Sequence, residues 1–256
     1  MKGVSAVFKK ELSVTFASPI FYVATFIFLV VSGYFFYSNI AMFTVMSFQA
    51  RANPFLVEKL HLSNMVVRPL FGQLSVILLL MLPLITMRSY AEEKRLGTIE
   101  LLFTYPISDA AALTGKFLAA MFILLAMLVG TIPSLFLLEA FGNLDWGSVL
   151  SGYLGIFLMG TSFLSVGIFC SSLTENQIVA AALSFGALLL FWLIGWAKLI
   201  ASPAAAPILD HLSIITHLDN FTKGLVDTRD VVFYLLFSFF WLFLTLRFLS
   251  SRFWRG

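Results

Sequence analysis

QIVAAALSFGALLLFWLIGWA, residues 177–197, holds no charged side chain. At 1.5 Å rise per residue it forms a helix of about 30 Å, the thickness of a bilayer's hydrocarbon core. A barrel strand would instead alternate apolar and polar residues over roughly ten positions. Ala187–Ile194 is apolar at both parities, so this run reads as a membrane-spanning helix.

Working outward, five more runs have the same character. Pro19–Ala50 is uncharged, with its strongest part at 20–43. The others are centred on 69–87, 112–138, 147–173 and 231–250, and the span at 177 extends to 198. The sixth contains Arg247, whose long stem lets its charge reach the interface. The first run is too long for the apolar region of a cleaved leader, and it follows eighteen residues with a pattern of their own. The expected fold is an all-α integral membrane protein with six transmembrane helices forming one domain over 1–256. Composition agrees. The chain is 60% hydrophobic and 11% charged, with a mean hydropathy of +0.98, against about 25% charged residues in a soluble domain. Such a chain leaves little room for a separate soluble domain, and its single Cys170 excludes an internal disulfide or a multi-cysteine metal site.

Six spans put both termini on one side. Ten of the 16 Lys and Arg residues fall there, so the positive-inside rule places both termini in the cytoplasm. Residues 1–18 read as an amphipathic helix lying at the interface, with Val4, Val7, Phe8 and Leu12 on one face and Lys2, Lys9 and Ser13 on the other. Glu11 falls within the apolar face. Either it reaches water, or it and Lys10 take part in ion pairing with the next cytoplasmic segment.

That segment, 88–109, carries four acids and three bases. Glu92 and Arg95 are spaced to pair if the second span extends beyond the membrane. Gly97 suits a helix end with positive φ, Thr98 can cap a short following helix, and Pro106 stops it. Ile99, Leu102 and Phe103 would share one face of that short helix. The outer segment 199–230 reads as short interfacial helices with Ile208, Leu212, Ile215 and Leu218 on one side. Small residues at Ser148, Gly152, Gly155 and Ser162, and at Ala180, Ser184 and Ala187, form stripes where helices can approach closely, within the subunit or between subunits. Pro83 and Pro133 can each kink a span.

Several chemistries are missing. There is no G-x-x-x-x-G-K-[ST] loop: before Gly115-Lys116 stands Ala110 where glycine is needed, and Phe117 follows where a hydroxyl is needed. No zinc-type spacing or G-x-S-x-G is present. His211 and His217, near Asp210 and Asp219, fit no ligand motif and read as interfacial polar residues. The spans carry almost no internal charge, which argues against a proton- or ion-coupled carrier.

The string MRSYAEEKRLGTIELLFTYPIS followed by LTGKFLA, together with FKKELSVTFASPIFYV near the start, resembles the ABC-2 type transporter permeases over nearly the whole chain. The late stretch HLDNFTKGLVDTRDVVFYL is similar to the gliding-motility and nitrous-oxide-reductase-maturation branch. The resemblance implies a permease domain with six spans that pairs with a second, identical or different, permease and docks on cytoplasmic ABC ATPase subunits through coupling helices. By position, the first coupling region would include Glu92, Glu93, Arg95, Gly97, Thr98, Glu100, Leu101, Leu102, Thr104 and Pro106. A second would include Glu175 and Asn176. ATP and magnesium would sit on the partner ATPase, with no cofactor on this chain and no catalysis by it. The expected setting is a bacterial inner membrane, with lipid and an extracytoplasmic partner protein as further contacts and no nucleic acid. The expected function is that of an exporter's permease. Its rival is a membrane subunit that drives an extracytoplasmic partner without passing substrate, and an intramembrane enzyme finds no paired catalytic residues to support it.

Overall fold

The computed structural model of the chain describes residues 2–50, 61–98, 107–140, 142–197, 202 and 206–252. Among the described residues the secondary structure is helical, and six stretches are long and apolar enough to cross a membrane. Helix α1 is Lys2–Ala17 and α2 is Pro19–Ala50. A single π turn, Ser63–Val67, leads into α3, Arg68–Thr86, and α4 is Arg88–Arg95. Then come α5, Asp109–Val129, α6, Ile132–Glu139, α7, Trp146–Leu173, and α8, Gln177–Ala197. Two short helices, α9, Ala206–Leu212, and α10, Ile214–Thr222, precede α11, Thr228–Arg252.

The spans are not all single helices. The second runs Ser63–Arg95 through the π turn, α3 and α4, and the third runs Asp109–Glu139 through α5 and α6. Both breaks sit near a proline. Pro133 has no N–H to offer the carbonyl four residues earlier, and the helix breaks at Gly130-Thr131 before restarting at Ile132. Pro83 lies inside α3, and the break at Met87 follows one turn later. At 32 residues α2 is about 48 Å long by helical rise, longer than the hydrocarbon core, so it tilts or projects beyond it.

Helix α7 is the axis of the bundle. Of its most apolar stretch 83% is buried within the chain, against 22% for α2 and α8 and 17% for α11. Its small residues explain this. A Cβ at Gly152 would meet the Phe71 ring at 2.1 Å, one at Gly155 would meet Phe221 at 2.5 Å, and one at Gly167 would meet Thr86 Oγ1 at 2.0 Å. The α7 stripe therefore packs inside the subunit. Ser162 donates its hydroxyl to the Tyr234 carbonyl at 3.2 Å, holding α11 against the same helix. Polar pairs also fasten α2 to α3: Asn39 Nδ2 donates to Gln73 Oε1 at 2.9 Å.

The outer segment departs from its expected face. Ile208 and Leu212 are exposed, while Ile214, Leu218 and Phe221 are buried. Ser213 ends one helix and caps the next, its Oγ accepting from Thr216 N at 3.3 Å, so the residues on either side belong to two helices rather than one continuous stripe.

Candidate functional site: a charged joint at the end bearing the termini

The apolar face of α1 does not lie free. Val7 is buried against α5, where Gly115 leaves room: a Cβ there would come within 2.8 Å of Val7. Gly3 approaches Ile107, and Phe8 meets Phe122 edge to face at 6.2 Å. This docking carries Glu11 to the ammonium of Lys116, one residue beyond Gly115. Lys116 Nζ lies 2.8 Å from Glu11 Oε1, 2.9 Å from Glu93 Oε1 and 2.8 Å from the Ser89 carbonyl. It also sits over the Tyr90 ring, 5.0 Å from its centre. Only 3% of Lys116 is exposed, so its charge depends on these partners. Lys10 completes the cluster at 2.6 Å from Glu93 Oε1 and 3.5 Å from Glu11. Burial by itself would lower the Lys10 pKa, but the hydrogen bond and charge of Glu93, helped by Glu11, outweigh it and hold the amine above the ordinary lysine value. Four charges thus join α1, α4 and α5.

Helix α4 is held from its other side by α7. Ser171 Oγ accepts from the Tyr90 N–H at 3.0 Å and the Ala91 N–H at 3.1 Å, and donates to the Met87 carbonyl at 2.9 Å. One hydroxyl therefore serves backbone groups freed by the Met87 break. Lys94, also buried, donates to the Ser172 carbonyl and lies over the Phe248 ring at 5.4 Å. What remains outside is the end of the helix: Arg95, Leu96, Gly97 and Thr98 are exposed, and Gly97 takes φ +68°.

Each expected site residue has a definite place where it falls among the described residues. Glu93, Lys10 and Glu11 meet in the cluster. Glu92 pairs with Arg88, four residues earlier on α4, at 3.9 Å, rather than with Arg95 three residues on. Thr98 Oγ1 bonds back to the Glu93 carbonyl at 3.4 Å. Glu100, Leu101, Leu102, Thr104 and Pro106, with the rest of the short helix expected there, lie outside the described residues. Glu175 is exposed in the turn between α7 and α8. Asn176 is occupied in capping α8, its Oδ1 accepting from Ile178 N at 2.9 Å. The Lys94–Ser172 bond brings the two expected coupling segments side by side.

The sequence reading missed Lys116 as a centre, along with Lys94 and Ser171. A signal was present: Lys116 is the single base at the head of a long apolar run, next to a glycine that faces the apolar side of α1.

At the opposite end, His217 Nδ1 lies 2.6 Å from Asp230 and its Nε2 lies 3.1 Å from the His211 carbonyl. Asn220 donates to the same Asp230 at 2.9 Å, and His217 stacks on Phe233. Asp219 pairs with Arg68 at 2.6 Å and Lys223 at 2.5 Å. Among the described residues no group of three or more His, Cys, Asp and Glu side chains is arranged to hold a metal ion.

Residues 5–253 match the family model described as ABC-2 family transporter protein. The chain belongs to the ABC-2 transporter family. This ABC-2 protein is a multi-pass membrane permease component of an ABC transporter, a family that acts in transport and generally works with a separate ATPase subunit. The match is to the family as a whole and gives no support to the gliding-motility or nitrous-oxide-reductase-maturation branch. No curated protein matches the ABC-2 chain.

Proposed function

We propose that this permease receives force from a partner ATPase at the exposed end of α4 and passes it to α1, α5 and α7 through the Lys116 joint. The observation that carries this reading is the arrangement of α4. One side is fixed by Glu93 to Lys116 and Lys10, the other by Ser171 and Lys94 to α7, and the exposed end is Arg95–Thr98. A push on such a helix moves three others. In this reading Glu92–Pro106 and the Glu175 turn form the docking surface, and ATP and magnesium bind the ATPase, not this chain. Both termini face the cytoplasm of a bacterial inner membrane, and the direction of transport is export. Because α7 fills the middle of the bundle, substrate would pass along the outside of this chain, against a second permease, identical or different. The poorly buried helices α2, α8 and α11 offer that surface.

Co-purification with the ATPase tests the docking assignment. Charge reversal at Arg95 and Glu100 should weaken assembly or ATPase stimulation. If both reversals leave both properties unchanged, the docking surface lies elsewhere. Reconstitution separates export from the mechanical alternative: ATPase coupling that persists with no transport of any substrate tried would favour a subunit that moves an extracytoplasmic partner.

A further inference from the structure

A cleft of about 600 Å³ opens beside the joint, between the α1–α2 elbow, the end of α3, α4 and α5. Its volume is within the range of sites for small molecules. Its walls and its mouth differ in chemistry. Ile20, Ala24 and Ile27 of α2, Leu84 of α3 and Ile123 of α5 make the depth apolar. From Ser18 at the mouth to Ile27, α2 rises nine residues, about 14 Å. Ile20 and Ile27 are exposed and belong to the poorly buried span α2, so the apolar depth is not sealed by the rest of the chain and an acyl chain can enter it.

The mouth carries three bases, Lys10, Arg88 and Lys116, and three acids, Glu11, Glu92 and Glu93, so it is neutral overall. Four of these six close on one another in the joint. Arg88 and Glu92 stand outside it as a loose ion pair, 3.9 Å from Nε to Oε2, beyond hydrogen-bond reach. Among the described residues the Arg88 guanidinium makes one hydrogen bond, from Nη1 to Ser18 Oγ at 3.1 Å, and its buried Nε makes none. About a third of each side chain is exposed. A guanidinium with unused donors beside an open carboxylate, above an apolar cleft, is complementary to a head that carries a phosphate and an ammonium above an acyl chain.

We propose that this cleft binds one phospholipid with a zwitterionic primary-amine head, its phosphate on Arg88, its ammonium on Glu92 and one acyl chain along Ala24 and Ile27. A neutral mouth gives no advantage to an anionic head. A quaternary amine cannot donate a hydrogen bond to Glu92, so phosphatidylethanolamine is favoured over both phosphatidylglycerol and phosphatidylcholine. The proposal stands on the cleft and not on the docking assignment.

The test is lipid retention by the full-length protein. The protein is exchanged into mixed vesicles holding equal amounts of the three lipids, purified in mild detergent, and its bound lipid extracted and counted by mass spectrometry. The expected result is about one phosphatidylethanolamine per chain, enriched at least fivefold over either competitor. Glu92→Gln should lose that enrichment, and Arg88→Gln should lower retention of all three lipids. Ala24→Trp, which fills the apolar depth and leaves the charges in place, should abolish retention. Equal retention of all three lipids by the unaltered protein would overturn the proposal, as would preference for phosphatidylglycerol or an Ala24→Trp variant that keeps its lipid.

Discussion

The two ends of the bundle both carry charge clusters, but they are built differently. At the end with the termini, Lys116 is almost fully buried and touches two glutamates and a carbonyl from two other helices. At the opposite end, Arg68, Asp219 and Lys223 pair at equally short distances, yet each side chain is about 40% exposed. Contact distance does not separate them; solvent does. An exposed pair trades water contacts for ionic ones and gains about 0–1 kcal/mol. A buried group has no water to return to, so removing its partner costs roughly 3–5 kcal/mol. The first cluster is thus a joint that holds helices together, and the second a surface fastening that tolerates movement. Between these extremes lies the His217–Asp230 pair. Asp230 is buried, and both nitrogens of His217 face oxygen atoms.

The largest expected effect comes from Lys116→Met, which removes the buried cation between Glu11 and Glu93 and leaves them only the half-exposed Lys10. Unfolding in mixed detergent micelles should show a loss of about 3 kcal/mol or more. A loss below about 1 kcal/mol would place both clusters in the same class. Asp230→Asn comes next. It removes the charge that accepts from His217 and Asn220, and unfolding should show a loss of about 2 kcal/mol. Ser171→Ala strips one acceptor from two buried N–H groups at the start of α4, with an expected loss of about 1–2 kcal/mol in the same measurement. It sharpens the contrast by showing whether α4 is fixed on its uncharged side as well.

Asp219→Asn should have the smallest effect, under about 1 kcal/mol, and one that shrinks as salt rises, whereas the Lys116 effect should change little with salt. Its pH dependence has a definite sign. Burial alone would raise the Asp219 pKa, but Lys223 and Arg68 together hold it below the ordinary value of 3.8. The folded state therefore favours the ionised form. The contribution is present at neutral pH and is lost as pH falls through that lowered value. Unfolding curves of the unaltered protein and Asp219→Asn should converge in acid.

The same division between lipid and water decided what the sequence revealed. Runs such as Gln177–Ala197 are legible because hydrocarbon tolerates no exposed charge, so hydropathy alone marks the spans. Gly97 was legible because a helix end with positive φ favours glycine. The amphipathic face of α1 was legible too, but not what it packs against. Lys116 escaped notice because its meaning depends on Glu11, 105 positions away, and no local pattern encodes that pairing. Asn176, given a docking role by the resemblance, also caps α8, as an Asn just before a helix does. The outer stripe failed because Ser213 interrupts a periodicity that looked continuous.

The central claim is that the joint transmits what happens at the exposed end of α4. Glu93→Gln tests it most directly, because the change removes a charge from the joint, keeps the side chain's shape and leaves Arg95–Thr98 in place. The quantity to measure is ATP hydrolysis by the purified permease–ATPase complex, at matched subunit content. The account predicts that the ATPase still co-purifies while stimulated hydrolysis falls several-fold. Unchanged hydrolysis at equal subunit content would contradict it.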